Sequence, residues 1–488
     1  MEDSELKSKT ISGIFWKLLE RIGAQVVSLI VSIIIARILL PSDYSVVSLI
    51  TIFFTFANVL ISGGLNTALI QKQDADAEDY SSVLIVSVVI SIILYIIFFF
   101  TAPYIAKVYK ADSLILIIRI MGLTLPITAV KSIWCAYISA TLQFKKFFFA
   151  TLGGTIFSAI VGIVLALKGA GPWALIAQQM TNTVIDTIIL IFTTKLKLKF
   201  HISWIKLKSL LKYGWKILLS SLIGTAYNAL VPLAIGIKYT DEDLSFYAKG
   251  NSFPSLISST TTNTLSAVLF STLSKFQDDK VALLKYTRQF IRLTSFIAFP
   301  MMLGLLAVSE NFVIVVLTEK WLNAVPYIKI FCIAYMFEMV HVGNCETIKA
   351  IGRSDVYLVM EIIKKIGYFI SIILFLFFTN SPQQLALAFW VCTTIALIVN
   401  SIPNRKLLGY KWKYQLLDLL PNLITAVIMC FCVHMIGKLQ INVYLLLFIQ
   451  VFAGVLIYFS LNVLIKNQNL YYILSYFKER KHKHEKNN

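Results

Sequence analysis

Charge is scarce in this chain. Asp, Glu, Lys and Arg make up 14% of its 488 residues, against roughly 25% in soluble proteins. No polar stretch between its apolar runs is long enough to fold as a separate soluble domain, so water is not its main solvent. Cysteine is sparse too: Cys135, Cys332, Cys345, Cys392, Cys430 and Cys432 stand apart in apolar stretches with no C-x-x-C pair. Neither a disulfide framework nor a zinc site is therefore expected. His482 and His484 form an H-x-H in the basic tail, read as a solvated tail rather than a metal site. A Walker A loop is missing, which argues against ATP drive within the chain. Also missing is a large loop with paired carboxylates or a nucleophile beside a base. No catalytic residue, metal or cofactor is expected, and the chain does not read as an enzyme.

What the sequence has instead is apolar length. Hydrophobic residues make up 58% of it, in runs of about 20 residues that could each cross a ~30 Å hydrocarbon core. The expected fold class is an all-α integral membrane protein with about 14 transmembrane helices. Their centres fall near Val27, Phe56, Ile90, Thr128, Ala159, Thr183, Ala226, Thr260, Ala298, Ala334, Ile370, Trp390, Ala426 and Phe452. The span around Thr260, rich in Ser and Thr, should face other helices or a wet cavity. The polar start "MEDSELKSKT" resembles neither a secretory signal nor a transit peptide.

Orientation follows from Lys and Arg. With the N-terminus inside, the segments "KLKLKFHISWIKLKSLLK", "NRKLLGYKWKYQ" and "YFKERKHKHEKNN" all fall on the inner side, as the positive-inside bias requires. Both termini are then cytoplasmic. The net charge of +19 is explained mainly by this topology, and contact of the tail with anionic lipid headgroups is expected rather than nucleic acid.

A repeat is visible. Trp16-Lys17 opens the first span and an acidic turn follows at Asp43; Trp215-Lys216 opens the seventh and a similar interval leads to Asp241. A period of about 200 residues predicts two six-helix lobes entering the membrane in the same sense, as in rocking transporters, plus two extra helices. The expected parts are an N-terminal lobe at 1–204, a C-terminal lobe at 205–408, two additional helices at 409–466 and a basic cytoplasmic tail at 467–488.

Polar groups inside the spans are the functional candidates, because an ion there costs about 2.5–3.5 kcal/mol on insertion scales. Lys17, Arg21, Ala24, Ser28 and Ser32 follow a three-to-four-residue spacing and form one stripe. Lys216, Ser220, Gly224 and Asn228 repeat it in the seventh span. Matching stripes would suit a cationic cavity between lobes; alternatively Lys17 and Arg21 are cytoplasmic anchors. Arg37 either snorkels or pairs with Asp43. Lys131 and Asp186 lie deeper, as a structural pair or as cavity residues. In the tenth span Glu338, His341 and Cys345 share a face with Glu346 beside it. Glu338, Glu346 and Asp186 are candidates for H⁺ or Na⁺ coupling; Lys329 or Lys364 could instead neutralise the two glutamates. Glu361 and Lys365 are expected to pair at i,i+4, and Arg292 to be a surface anchor.

Several stretches together resemble the polysaccharide transporter family of Wzx-type flippases, in the superfamily of the MATE drug exporters and the lipid II flippase. They are "ARILLPSDYSVVSLI", "GGLNTALIQKQDADAEDY", "LQFKKFFFATLGGTIFSAIVGIVLALKGAGPWALIAQQ", "VLFSTLSKFQDDK", "KAIGRSDVYLVMEIIKK" and "KLLGYKWKYQLLDLLP". One departure is Ser271, where the family usually has proline. The resemblance implies a MATE-like fold and a carrier of undecaprenyl-pyrophosphate-linked oligosaccharides across the bacterial plasma membrane. It would serve O-antigen, capsule or exopolysaccharide assembly, beside a polymerase and chain-length machinery. It also implies that basic cavity residues, here Lys17, Arg21 and Lys216, hold the pyrophosphate or acidic sugars. The competing reading is a cation-coupled exporter of small organic molecules; a membrane-embedded polymerase or transferase is disfavoured by the short outer loops.

Overall fold

A computed structural model of the chain describes the backbone of residues 2–471 apart from positions 73, 110, 195, 200, 275, 277 and 278. It describes side chains from Trp16 onward except at 17, 18, 241, 263–268, 270–272, 274 and 354. Among the described residues all regular structure is helical, and every expected span centre lies inside a helix. Among the described residues, twelve helices or helix pairs are long and apolar enough to cross a membrane. The two remaining expected spans, around Thr260 and Ile370, are helices of 34 and 25 residues. They are more polar, the first through its Ser/Thr run and the second through Glu361, Lys364 and Lys365. Much of that Ser/Thr run lies outside the described side chains.

The chain divides into two compact units, Met1–Ser245 and Phe246–Asn488. The first holds α1 (Glu2–Ile38), α2 (Pro41–Ser62), α3 (Leu65–Gln71), α4 (Ala77–Val108), α5 (Ser113–Gly122), α6 (Thr124–Ala140), α7 (Phe144–Leu167), α8 (Pro172–Thr193) and α9 (Trp204–Lys238). Span four is broken between α5 and α6; Pro126 sits in the first turn of α6, where its missing N–H leaves no helical bond unmade. α7 and α8 form a hairpin, α1 packs along α7, and α6 packs on α4 and α8. α9 lies against α2 and α3, so the compact units divide one helix later than the boundary expected at 204/205. α3 and α9 meet at Gly64 and Gly214, where an added Cβ would stand 2.5 and 2.9 Å from the other glycine's carbonyl oxygen. Small residues are what allow such an approach.

The second unit holds most of α10 (Asp241–Ser274), then α11 (Lys280–Val316), α12 (Val325–Ala350), α13 (Ser354–Phe378), α14 (Pro382–Leu408), α15 (Trp412–Ile436) and α16 (Val443–Leu464). α11 packs against α12, α15 and α16, and α14 against α12 and α13.

The two acidic turns use one device. The Leu40 N–H donates to Asp43 Oδ2 at 2.9 Å, and the Thr240 N–H donates to Asp243 Oδ2 at 3.2 Å, with Thr240 Oγ1 donating to the same oxygen at 2.6 Å. Each carboxylate satisfies an amide that the new helix cannot. The counterpart of Asp43 is therefore Asp243, not Asp241, whose side chain lies outside the described residues.

Candidate functional site

Lys131 on α6 and Asp186 on α8 form an ion pair, Nζ to Oδ2, at 2.6 Å. Asp186 is buried and Lys131 half-buried. A lone charge would be costly at this depth, and pairing is the common remedy. Gly154 on α7 makes the pair possible, since a Cβ there would lie 1.8 Å from Asp186 Oδ1. That Oδ1 is buried and has no hydrogen-bond partner among the described residues. One turn earlier on α8, Asn182 Nδ2 donates to Ser158 Oγ at 3.5 Å.

The other side of Lys131 faces a cavity of about 470 Å³ inside the first unit. Its wall is polar: Asn58 and Ser62 from α2, Asn66 from α3, Ser132 and Ser139 from α6, and Thr183 from α8. The Oδ1 atoms of Asn58 and Asn66 are buried and have no partner among the described residues. One ammonium and several hydroxyl groups on this wall can receive a hydroxyl-rich anion: the cation takes an acidic oxygen and the Ser and Thr side chains take sugar hydroxyls.

The cationic stripes are placed differently. Arg21, Lys216 and Asn228 are exposed, and the Lys17 side chain lies outside the described residues. Neither Arg21 nor Lys216 has an ion pair among the described residues. α1 packs along α7, while α9 packs against α2 and α3. Trp16, which opens the first stripe, is fixed instead against Phe148, with ring centroids 5.4 Å apart.

In the second unit the acidic candidates separate. Glu346 pairs with Lys349 at 2.9 Å, Lys329 with Glu310 at 2.8 Å, and Lys364 with Glu361 at 2.5 Å. Of the expected neutralisation of Glu338 and Glu346 by Lys329 or Lys364, the direct ion pairs go to other carboxylates, while Lys364 still acts on Glu338 electrostatically at longer range. The expected Glu361–Lys365 pair is replaced by Glu361–Lys364, because i,i+3 and i,i+4 neighbours are equally within reach on a helix. Glu338 keeps a buried Oε2 without a hydrogen-bond partner among the described residues. Three residues on, the Asn400 amide nitrogen donates to His341 Nδ1 at 2.9 Å.

One cluster was not foreseen. Arg292, read as a surface anchor, donates from Nε to Asp418 Oδ1 at 2.7 Å. Arg288 binds the same carboxylate through Nε at 2.8 Å and Nη2 at 2.9 Å, and the Tyr410 hydroxyl adds a bond at 2.7 Å. The spacing of the two arginines on one face of α11 was the available signal.

Comparison with known proteins sets these sites in a family. An uncharacterized membrane protein in the cps region of Klebsiella pneumoniae is 27% identical over 404 residues, covering 80% of this chain and 81% of that protein. The succinoglycan biosynthesis transport protein ExoT of Rhizobium meliloti (strain 1021) is 21% identical over 413 residues, covering 83% and 80%. Among solved structures, the lipid II flippase MurJ in an inward closed conformation superposes with a TM-score of 0.76 at 16% identity, over 93% of this chain and 98% of that one. The chain therefore shares the fold of that solved structure, in a multi-pass membrane protein. The polysaccharide biosynthesis protein family matches residues 34–326, from the end of α1 into α12, and with more than half its length inside that match this chain belongs to the family.

Proposed function

We propose that the protein is a flippase carrying polyprenyl-pyrophosphate-linked oligosaccharide units across the bacterial plasma membrane for surface polysaccharide assembly, and that it is a carrier rather than an enzyme. The observation that carries this reading is the cavity beside Lys131, lined by Asn58, Ser62, Asn66, Ser132, Ser139 and Thr183. The headgroup is too polar for hydrocarbon and its polyprenyl tail belongs there, so the protein needs to shelter only the headgroup. Arg21, Lys216 and Lys17, with Asn228, supply further contacts to phosphate or acidic sugar as the headgroup enters and leaves. Both termini are cytoplasmic in this reading, and the two units alternate the side from which the site is reached. An inside-negative potential helps, since each negative charge carried outward gains ~2.3 kcal/mol per 100 mV.

Glu338 is the proposed site of ion coupling, because its free oxygen can take a proton or Na⁺; Glu346 and Asp186 are secondary candidates, each already facing a lysine. A polymerase and chain-length machinery are the partners that would take up the exported unit. The exporter of small organic cations is the weaker reading, since a cavity walled by a lysine repels such a substrate. Replacing the pair by the neutral Lys131→Met with Asp186→Asn tests the proposal. Surface polysaccharide should be lost while the protein persists in the membrane; unchanged polymer export at normal protein level would refute it.

A further inference from the structure

The cluster on Asp418 sits where α11 and α15 begin and α16 ends, and it borders two adjoining cavities of about 420 and 340 Å³. Arg288 and Arg292 line both; Lys285 lines the first and Lys466 the second. Lys285 and Lys466 are exposed and make no ion pair among the described residues. Four cations against the single carboxylate of Asp418 leave this wall strongly positive. Asp418 occupies Nε and Nη2 of both Arg288 and Arg292, and Arg292 Nη1 donates to Gln468 Oε1 at 3.5 Å. It fixes both guanidinium planes, leaving Nη1 of Arg288 without a partner among the described residues to meet a phosphate oxygen, beside the ammonium groups of Lys285 and Lys466 and the positive charge of Arg292.

An apolar groove of about 580 Å³ continues from this wall. Phe296 and Ile297 follow Arg292 and Leu293 by one turn of α11, and Leu470 follows Asn469 directly, so basic and apolar linings join along two stretches of chain. The groove then runs past Pro300, Met301 and Gly304 on α11 toward Val455 and Phe459 on α16. Ile297, Met301, Val455 and Phe459 are exposed, apolar side chains on spanning helices that suit contact with an acyl chain.

A soluble anion would use the cations and have no need of the groove. A neutral lipid would use the groove and have no need of the cations. We propose that this end of the second unit holds an anionic phospholipid, its phosphate on Arg288, Arg292, Lys285 and Lys466 and one acyl chain along the groove of α11, α15 and α16. Basic pockets between spanning helices recognise such headgroups by charge at close range. The inference needs only that the chain spans a bilayer, and it stands apart from the transport reading.

The test uses the full-length protein in a neutral detergent, with native mass spectrometry and thermal unfolding as readouts. Phosphatidylglycerol should be retained about tenfold more tightly than phosphatidylcholine and should raise the unfolding temperature. Lys285→Glu with Lys466→Glu leaves the Asp418 pairs untouched and should abolish that preference. Gly304→Leu should weaken retention of phosphatidylglycerol by filling the groove. A Cβ there meets only Met429 Cε at 3.7 Å, and leucine is the better helix former. Equal retention of the two lipids would overturn the proposal. So would inorganic phosphate stabilising the protein as well as phosphatidylglycerol with Gly304→Leu having no effect, the mark of a soluble ligand. Displacement of phosphatidylglycerol by equimolar undecaprenyl phosphate would likewise overturn it and reassign the groove to a polyprenyl chain.

Discussion

Ser245 Oγ donates to the Pro41 carbonyl at 2.7 Å, tying the first turns of α10 to the first residue of α2. The two helix starts joined by this bond are those closed by Asp243 and Asp43, so the two copies of the repeated turn meet within the first unit. Both ends of the bond are buried. Ser245→Ala should therefore lower stability by about 1 kcal/mol, seen as a lower unfolding temperature in detergent. Ser45→Ala should cost less, because Ser45 Oγ bonds only to Ser42 within its own turn. Equal effects would show that the bond between the turns contributes nothing of its own.

Gly154 and Asp186 should behave as one site. Gly154→Ala forces a methyl into the place of Asp186 Oδ1 and so disturbs a buried ion pair, a change in the class that costs about 3–5 kcal/mol. In an Asp186→Ala background the same substitution should cost far less, since the obstructing oxygen is gone. A double-mutant cycle on thermal stability checks this; additive effects would contradict the packing described.

Acid should loosen the start of α4. Asp76 caps that helix, accepting from the Glu78 and Asp79 N–H groups at 3.1 and 3.0 Å. The Lys206 ammonium, bonded to it at 2.5 Å, holds its carboxyl well below the usual carboxylate range. A depressed value means that the contribution to stability is complete above the unfolded-state pKa of about 3.9 and is lost as pH falls toward the folded-state value. Asp76→Ala should thus destabilise at neutral pH by about 1 kcal/mol, the ordinary worth of a cap. The gap between variant and parent should shrink in acid. A gap independent of pH would contradict the pairing.

The exposed cations should matter together. Arg21 and Lys216 make no ion pair among the described residues, so neutralising them with Lys17 costs little stability. On the proposed function, Lys17→Gln, Arg21→Gln and Lys216→Gln combined should abolish surface polysaccharide while protein levels hold. Undiminished polymer would make these residues cytoplasmic anchors.

Apolar runs placed every spanning helix in the sequence, because a membrane demands length and hydropathy that little else mimics. Lys131 and Asp186 stood out for the same reason: single charges in apolar spans must find each other or water. Finer assignments failed where geometry decides. The interval from Trp215-Lys216 leads to Asp241 in the acidic turn, yet the bond to the Thr240 N–H runs from i to i+3 and selects Asp243. Glu361 could reach either Lys364 or Lys365, and only side-chain rotamers choose between them. Asp418 was invisible as a partner of Arg288 and Arg292 because the pairing spans 130 and 126 residues, from a segment whose own neighbours are basic. The gap left in α7 by Gly154 could not be read from composition at all.

The reading turns on whether Lys131 is present for Asp186 alone or also for a passenger, and exchanging the two charges separates these roles. Lys131→Asp with Asp186→Lys keeps an ion pair but removes the ammonium from the cavity wall. The decisive measurement is translocation of a polyprenyl-pyrophosphate-linked oligosaccharide by this variant in proteoliposomes, alongside its thermal stability. Stability near that of the parent with translocation lost is the predicted result; translocation at the parental rate would contradict the account.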